Sequence, residues 1–389
     1  VFTARSQSRT PANHITNCQD EDQIIASINF VDFPFKADCG LNFKIQGVNL
    51  TVDGRDDVLH MVLTQLMTAL NSIEDLVGNT PMLRLQRLDR DLPHQLMAKC
   101  EFLNPGGSVK DRIAFHMVRK AEQAGLLAAG GTIVEGTAGN TGIGLALVAA
   151  LRGYKLITVM SQKVSQDKVK LLEALNAEVV ITPSGKSIDD PEHFMNRAKS
   201  IAEASGAWLA DQFNNATNVE AHYQTTGPEI WQQTQGAIDV LVVGCGTGGT
   251  LTGAGRYLKE RKKDLKIVLA DPKGSMLADL VRGKQSKSAA YIVEGIGQDF
   301  VPGNLDLTLI DDVIQVCDAD SVETAKDLLN KEAMFVGSSS GCIVFAALEY
   351  CRRLSGKGKT VVAVLPDGGR GYVSTIYNAD WLKQKLCTQ

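Results

Sequence analysis

The rhythm of hydrophobic positions changes at about residue 71. Before it the apolar runs are short and mixed, as at 30–35 and 43–52, and one stretch, 58–70, has spacing that suits a helix. After it the pattern is regular. Val- and Ile-rich runs at 132–135, 156–160, 178–182, 240–243, 266–270 and 360–365 read as strands of ordinary length. Between them, 108–127, 140–152, 165–176 and 249–261 carry helical periodicity. Strands alternating with helices predict an α/β fold, an open parallel sheet with crossover helices on both faces. The chain is expected to divide into an N-terminal extension of unknown role, residues 1–70, and a core, residues 71–389.

In such sheets, ligands bind at the loops that leave the C-terminal ends of strands. Four loops rich in Gly, Ser and Thr, at 136–142, 244–249, 337–341 and 367–371, read as strand exits and together as the rim of one site. Composition narrows the partners. A net charge of −4 without a basic run gives no reason to expect nucleic acid. No apolar stretch approaches the roughly 18–20 residues of a membrane span. Eight cysteines without a C-x-x-C pair read as reduced thiols in a cytoplasmic protein, with no metal site. Residues 1–19 contain Arg5 and Arg9 and no acid; a polar leader is expected there, and a transit-peptide remnant is the alternative.

Four segments carry candidate chemistry. Gly244-Cys245-Gly246-Thr247-Gly248-Gly249-Thr250 follows an apolar run and opens a helix. Its glycines let backbone N–H groups crowd an anion, the helix N-terminus adds partial positive charge, and Thr247 and Thr250 add hydroxyls. No Walker lysine follows, and no acid stands where a dinucleotide fold needs one, so a monophosphate fits better than ATP or NAD. In Asn104-Pro105-Gly106-Gly107-Ser108-Val109-Lys110, the lysine comes just after Ser108, the expected N-cap. A cation is unfavourable there unless its amine serves chemistry. Gly136-Thr137-Ala138-Gly139-Asn140-Thr141-Gly142 offers N–H groups and hydroxyls for a carboxylate, with a plain helix cap as the alternative. In Gly337-Ser338-Ser339-Ser340-Gly341 a serine can bond a heterocycle nitrogen, although a helix cap alone also explains the string.

These strings, with Val77-Gly78-Asn79-Thr80-Pro81, Gln212-Phe213 and Thr225 to Trp231 in the same order, resemble the cystathionine β-synthases and cysteine synthases, fold-type II pyridoxal-phosphate enzymes. The resemblance runs from about residue 71 to 386. It implies a two-domain, tryptophan-synthase-β-like fold with a smaller mobile subdomain at about 110–215, and pyridoxal 5′-phosphate as cofactor. Lys110 resembles the lysine that carries the cofactor as a Schiff base and serves as general base. Asn140 matches the residue beside the cofactor's 3′-oxygen. Gly246, Thr247, Gly248, Gly249 and Thr250 match its phosphate cradle, and Ser339 the partner of its ring nitrogen. Thr137, Ala138, Thr141 and Gln212 match positions that hold the substrate carboxylate, and Gly295 a loop at the substrate entrance. Ala138 stands where the family usually has serine, and Gly136 where it usually has proline.

The string Glu294 to Phe300, and Leu365-Pro366-Asp367-Gly368-Gly369-Arg370-Gly371-Tyr372, resemble the cystathionine β-synthase branch. Serine plus homocysteine giving cystathionine, a transsulfuration step, is therefore the expected reaction. O-acetylserine plus sulfide, or cysteine plus cyanide, are the alternatives, and a non-catalytic sensor or partner-binding relative is a further one. Amino-acid and thiol substrates and a homodimer are implied by the resemblance. The C-terminal regulatory pair of some relatives is not expected, and neither is haem, since the spacing of Cys39 and His60 does not suit it.

Overall fold

The chain divides into two units, residues 1–71 and 72–389. The computed structural model describes residues 41–45, 48–52, 69–137, 139–162, 164, 166–285 and 288–386. Ala138, Cys39, His60 and most of the helix expected at 58–70 lie outside the described residues. In the first unit, strands β1 (Leu41–Ile45) and β2 (Val48–Val52) pair antiparallel. The register sets Leu41 opposite Val52, Phe43 opposite Leu50 and Ile45 opposite Val48. This pairing falls within a run that shows no regular element by pattern.

The second unit holds two sheets. The larger contains β3 (Met82–Arg84), β4 (Gln95–Cys100), β9 (Ile238–Gly244), β10 (Lys266–Pro272), β11 (Asp312–Val316) and β12 (Thr360–Leu365), in the order β11-β10-β9-β12-β4-β3. All its pairings are parallel except β3 with β4. The smaller contains β5 (Thr132–Gly136), β6 (Lys155–Ser161), β7 (Glu178–Thr182) and β8 (Trp208–Leu209), parallel in the order β7-β6-β5-β8.

Alternation along the strands explains the layers. In β9 and β12, Val240, Val242, Val361, Ala363 and Leu365 face one core with helix α10 (Ser338–Arg353). Leu241, Val243, Val362 and Val364 face another, with α6 (Thr226–Gln233) and α7 (Gly249–Arg261). The small sheet is covered likewise. Ile133 and Met160 pack on α1 (Lys110–Gln123) and α2 (Asn140–Arg152), and Val134 and Val159 on α4 (Phe194–Ser205). Strands covered on both faces are the condition for the near-continuous apolar runs of the sequence. Among the described residues no helix is long and apolar enough to cross a membrane.

Candidate active site

Three of the four glycine-rich loops leave strands: 136–142 after β5, 244–249 after β9 and 367–371 after β12. The fourth, 337–341, does not. It follows helix α9 (Asp318–Glu332) and an irregular stretch in which Val336 bridges Gly368. It reaches the rim by that bridge and by the Gly337 N–H, which donates to Asp367 O at 3.1 Å.

The lysine loop is clamped to the exit of β12. Ser108 bridges Asp367, and the Val109 N–H donates to Pro366 O at 2.8 Å. Helix α1 begins at Lys110 with Val109, not Ser108, at the N-cap. The Ser108 hydroxyl still accepts from the Lys110 N–H at 3.2 Å, so it serves the helix start from one residue further out. The helix is anchored two residues on. Arg112 binds Glu101 through Nε at 2.6 Å and Glu229 through Nη1 at 2.7 Å, while Lys99 Nζ binds Glu229 at 2.6 Å. Glu101 is fully buried. Burial opposes its charge, yet Arg112 and Lys99 hold its pKa at about 2. The set fixes the base of α1 and therefore the position of Lys110.

Lys110 lines a narrow cleft with Gly246, Thr247, Gly248, Thr250, Gly295 and Ile296 among its walls. Desolvation by those walls lowers the pKa of its amine, against the pull of the Asp367 carboxylate and Cys245. Such an amine gives up its proton more readily than a solvated lysine. The cradle lies opposite, between β9 and α7. Gly248 has φ +87°, and a Cβ on Gly246 would sit 2.4 Å from Gly295 O, so glycine is required at both positions. Thr247 Oγ1 accepts from Asn218 Nδ2 at 2.9 Å, and Thr250 Oγ1 meets His222 Nε2 at 3.1 Å.

The carboxylate loop forms a second group beside the cleft. Thr141 donates to Gln212 Oε1 at 2.5 Å, Gln212 Nε2 donates to Gly136 O at 3.0 Å, and Thr137 Oγ1 accepts from the Gly139 N–H at 3.1 Å. Thr141 spends its hydrogen on Gln212, so the donors left for an anion include the Thr137 hydroxyl, whose oxygen only accepts here, and the first N–H groups of α2. Gln212 O accepts from Asn218 and Asn304, so Asn218, which is fully buried, ties this group to Thr247 of the cradle. Glu135, just upstream, is buried without a cation. Burial first, then the Asp211 carboxylate, push its pKa up to about 8.

Asn140 and Ser339 come together at a residue that sequence reasoning did not single out. Asp367 Oδ2 accepts from Asn140 Nδ2 at 2.9 Å and from the Tyr372 hydroxyl at 2.5 Å, and Ser339 Oγ lies 3.5 Å from Oδ1. Burial raises the pKa of Asp367, and the Tyr372 and Asn140 hydrogen bonds oppose the rise. The available signal was its place right after an apolar run, in one of the four loops. Beside the cleft wall, Lys168 of α3 (Gln166–Ala174) pairs with Glu294, next to Gly295, and its Nζ lies 4.9 Å above the Tyr372 ring.

A desolvated amine facing an anion cradle at the exits of a parallel sheet defines an enzyme site for a phosphorylated carbonyl compound. The lowered pKa of Lys110 and the glycines at 246 and 248 fit such a group. The sequence profile of pyridoxal-phosphate dependent enzymes matches residues 73–367, and the chain belongs to that family. It is 44% identical over 329 residues to a cystathionine beta-synthase of Mus musculus, covering 84% of this chain and 58% of that protein. It is 43% identical over 330 residues to cysteine synthase 1 of Emericella nidulans, covering 83% of this chain and 89% of that one. The solved structure of an O-acetylserine dependent cystathionine beta-synthase from Helicobacter pylori superposes with a TM-score of 0.74 at 36% identity, over 80% of this chain and all of that one. An O-ureido-L-serine synthase superposes equally well, with a TM-score of 0.74, at 38% identity over 80% of this chain and 96% of that one. The chain thus spans about three-fifths of the length of the mouse protein.

Proposed function

We propose that the chain replaces the β-substituent of an amino acid, joining serine to homocysteine to give cystathionine. The observation that carries the choice of second substrate is the Lys168–Glu294 pair, which adjoins Gly295 of the cleft wall. Homocysteine brings an ammonium and a carboxylate, whereas sulfide brings neither. A pair with one charge of each sign suits the first and gives the second nothing to bind.

Pyridoxal phosphate, held by Lys110, Asn140, Ser339 and the 246–250 cradle, supplies an electron sink that acidifies the α-hydrogen of a bound amino acid. The protein's own part is placement and proton transfer. The N–H groups at the start of α2, with Thr137, Thr141 and Gln212 around them, hold the substrate carboxylate. Lys110 Nζ, its pKa lowered by desolvation, takes the α-proton and returns one after the thiol has added. Asp367 orients Asn140 and Ser339 from behind.

The similarity to cysteine synthase 1 supports a second reading, O-acetylserine plus sulfide. The five cysteines among the described residues are free, which supports placement in the cytoplasm, and the family likeness supports our reading of a homodimer. The test is to supply the purified chain with serine or O-acetylserine, each with homocysteine or sulfide, and to identify the products by mass. Cystathionine from serine and homocysteine supports the proposal. Cysteine from O-acetylserine and sulfide alone selects the second reading. Lys110→Ala should abolish turnover, a loss of about 10³-fold or more; activity that survives it removes Lys110 from the chemistry.

A further inference from the structure

His222, on α5 (Ala216–Gln224), is buried, and both of its ring nitrogens meet threonine hydroxyls. Nδ1 lies 2.8 Å from Thr226 Oγ1 and Nε2 lies 3.1 Å from Thr250 Oγ1. Burial, then the Arg112 cation, lower its pKa to about 3, so the ring is neutral at ordinary pH. A neutral imidazole offers one N–H donor and one acceptor. One threonine therefore receives a hydrogen bond from the ring and the other gives one.

The two threonines are not equivalent. Thr226 is fully buried, and among the described residues His222 is the partner of its hydroxyl. With the proton on Nδ1, the Thr226 hydroxyl hydrogen would point into protein with no acceptor, a costly arrangement. With Nδ1 bare, Thr226 donates to it and is satisfied. Thr250 instead lines the cleft at the N-terminus of α7. If Thr250 donated to Nε2, only its lone pairs would remain for an anion. If it accepts from Nε2–H, its own hydrogen is free to turn into the cleft. Both ends of the ring select the same tautomer.

We infer that His222 is a positioning residue that keeps its proton on Nε2 and so makes the Thr250 hydroxyl a standing donor to the phosphate in the cradle. The identity of that anion rests on the function proposed above; the tautomer is a property of the protein alone.

The test has two arms. In the first, full-length protein labelled with ¹⁵N-histidine and freed of cofactor is read by long-range ¹H–¹⁵N correlation. The sequence has six histidines, and His222→Gln identifies the signal by its loss. A neutral ring with Nε2 protonated between pH 5 and 8 is expected. A proton on Nδ1, or an imidazolium in that range, overturns the inference. In the second arm, dissociation constants are measured for pyridoxal phosphate and for unphosphorylated pyridoxal. His222→Leu and Thr250→Val should each weaken the phosphate form about tenfold, the size of one hydrogen bond to a charged group. Their double variant should be no weaker than Thr250→Val, and His222→Gln, which keeps an N–H near Nε2, should recover much of the loss. Equal weakening for pyridoxal, or additive losses, overturns the positioning role. An Nε2 proton in a protein that binds neither compound would support the tautomer and overturn the cofactor reading.

Discussion

Glu135 gives the sharpest test of the electrostatics beside the site. Its carboxyl is 1% exposed at the end of β5, and the Gln212 N–H donates to it at 3.3 Å. Its folded pKa is about 8, against a reference value of 4.5. The folded state therefore keeps a proton that the unfolded chain releases above pH 4.5. Stability from this group is full below about pH 4.5 and is lost as pH rises towards about 8. Across that window the loss approaches about 1.4 kcal/mol per pH unit, so pH 5 to pH 7 corresponds to roughly 2–3 kcal/mol. Glu135→Gln keeps the shape and the acceptor and cannot titrate. Urea unfolding of cofactor-free wild type and variant at pH 5, 6 and 7 should show the variant gaining on the wild type by about 1–3 kcal/mol over the range. Asp111, buried with a pKa raised to about 7, adds a slope of its own, but it is common to both proteins and cancels in the difference. A difference that stays constant with pH would mean that Glu135 titrates alike in folded and unfolded chains, and the argument from burial would fail.

Three further outcomes are expected. Glu229→Gln leaves Lys99 and Arg112 short of their shared carboxylate and should destabilise the fold by about 3 kcal/mol, or roughly 4 °C in Tm; a thermal melt unchanged within about 1 °C would contradict that. Gly246→Ala drives a methyl against Gly295 O and should weaken cofactor retention about tenfold or more, measured by equilibrium dialysis, while wild-type affinity would show that the loop yields. Lys168→Met should raise the KM for homocysteine about fivefold and leave the KM for sulfide unchanged; equal changes in both would remove the charge-matching argument.

What the sequence conceals here follows from burial. The strands β9, β12 and β6 are plain in the pattern because both of their faces meet apolar neighbours. Strand β4 reads QLMAKC, and Lys99 within it looks like a surface residue. Its ammonium is fully buried, satisfied by Glu229 far along the chain, and no local pattern announces that partner. Strand β11, DVIQV, is interrupted in the same way by polar residues near the sheet edge. At the site, the lysine and glycine loops are contiguous strings and therefore legible. Asp367, Glu135, His222 and Asn218 act through single side chains that only folding brings to Asn140, Gln212, Thr250 and Thr247. The start of α1 was off by two residues because Ser108 caps from outside the helix rather than at its edge.

The buried set of Lys99, Glu101, Arg112 and Glu229 also bears on how this chain can drift over generations. Glu229 serves cations from two separate segments, and Arg112 serves two acids. Any single replacement strands an ion away from water, and an apolar substitute of similar volume works only if its partners change as well. Single-step mutational paths out of this arrangement therefore run through poorly folding intermediates, whereas the exposed pairs, such as Lys199 with Glu203, can be exchanged one residue at a time. Sequences descended from this one should vary freely at the second kind of pair and move at the first only in concert.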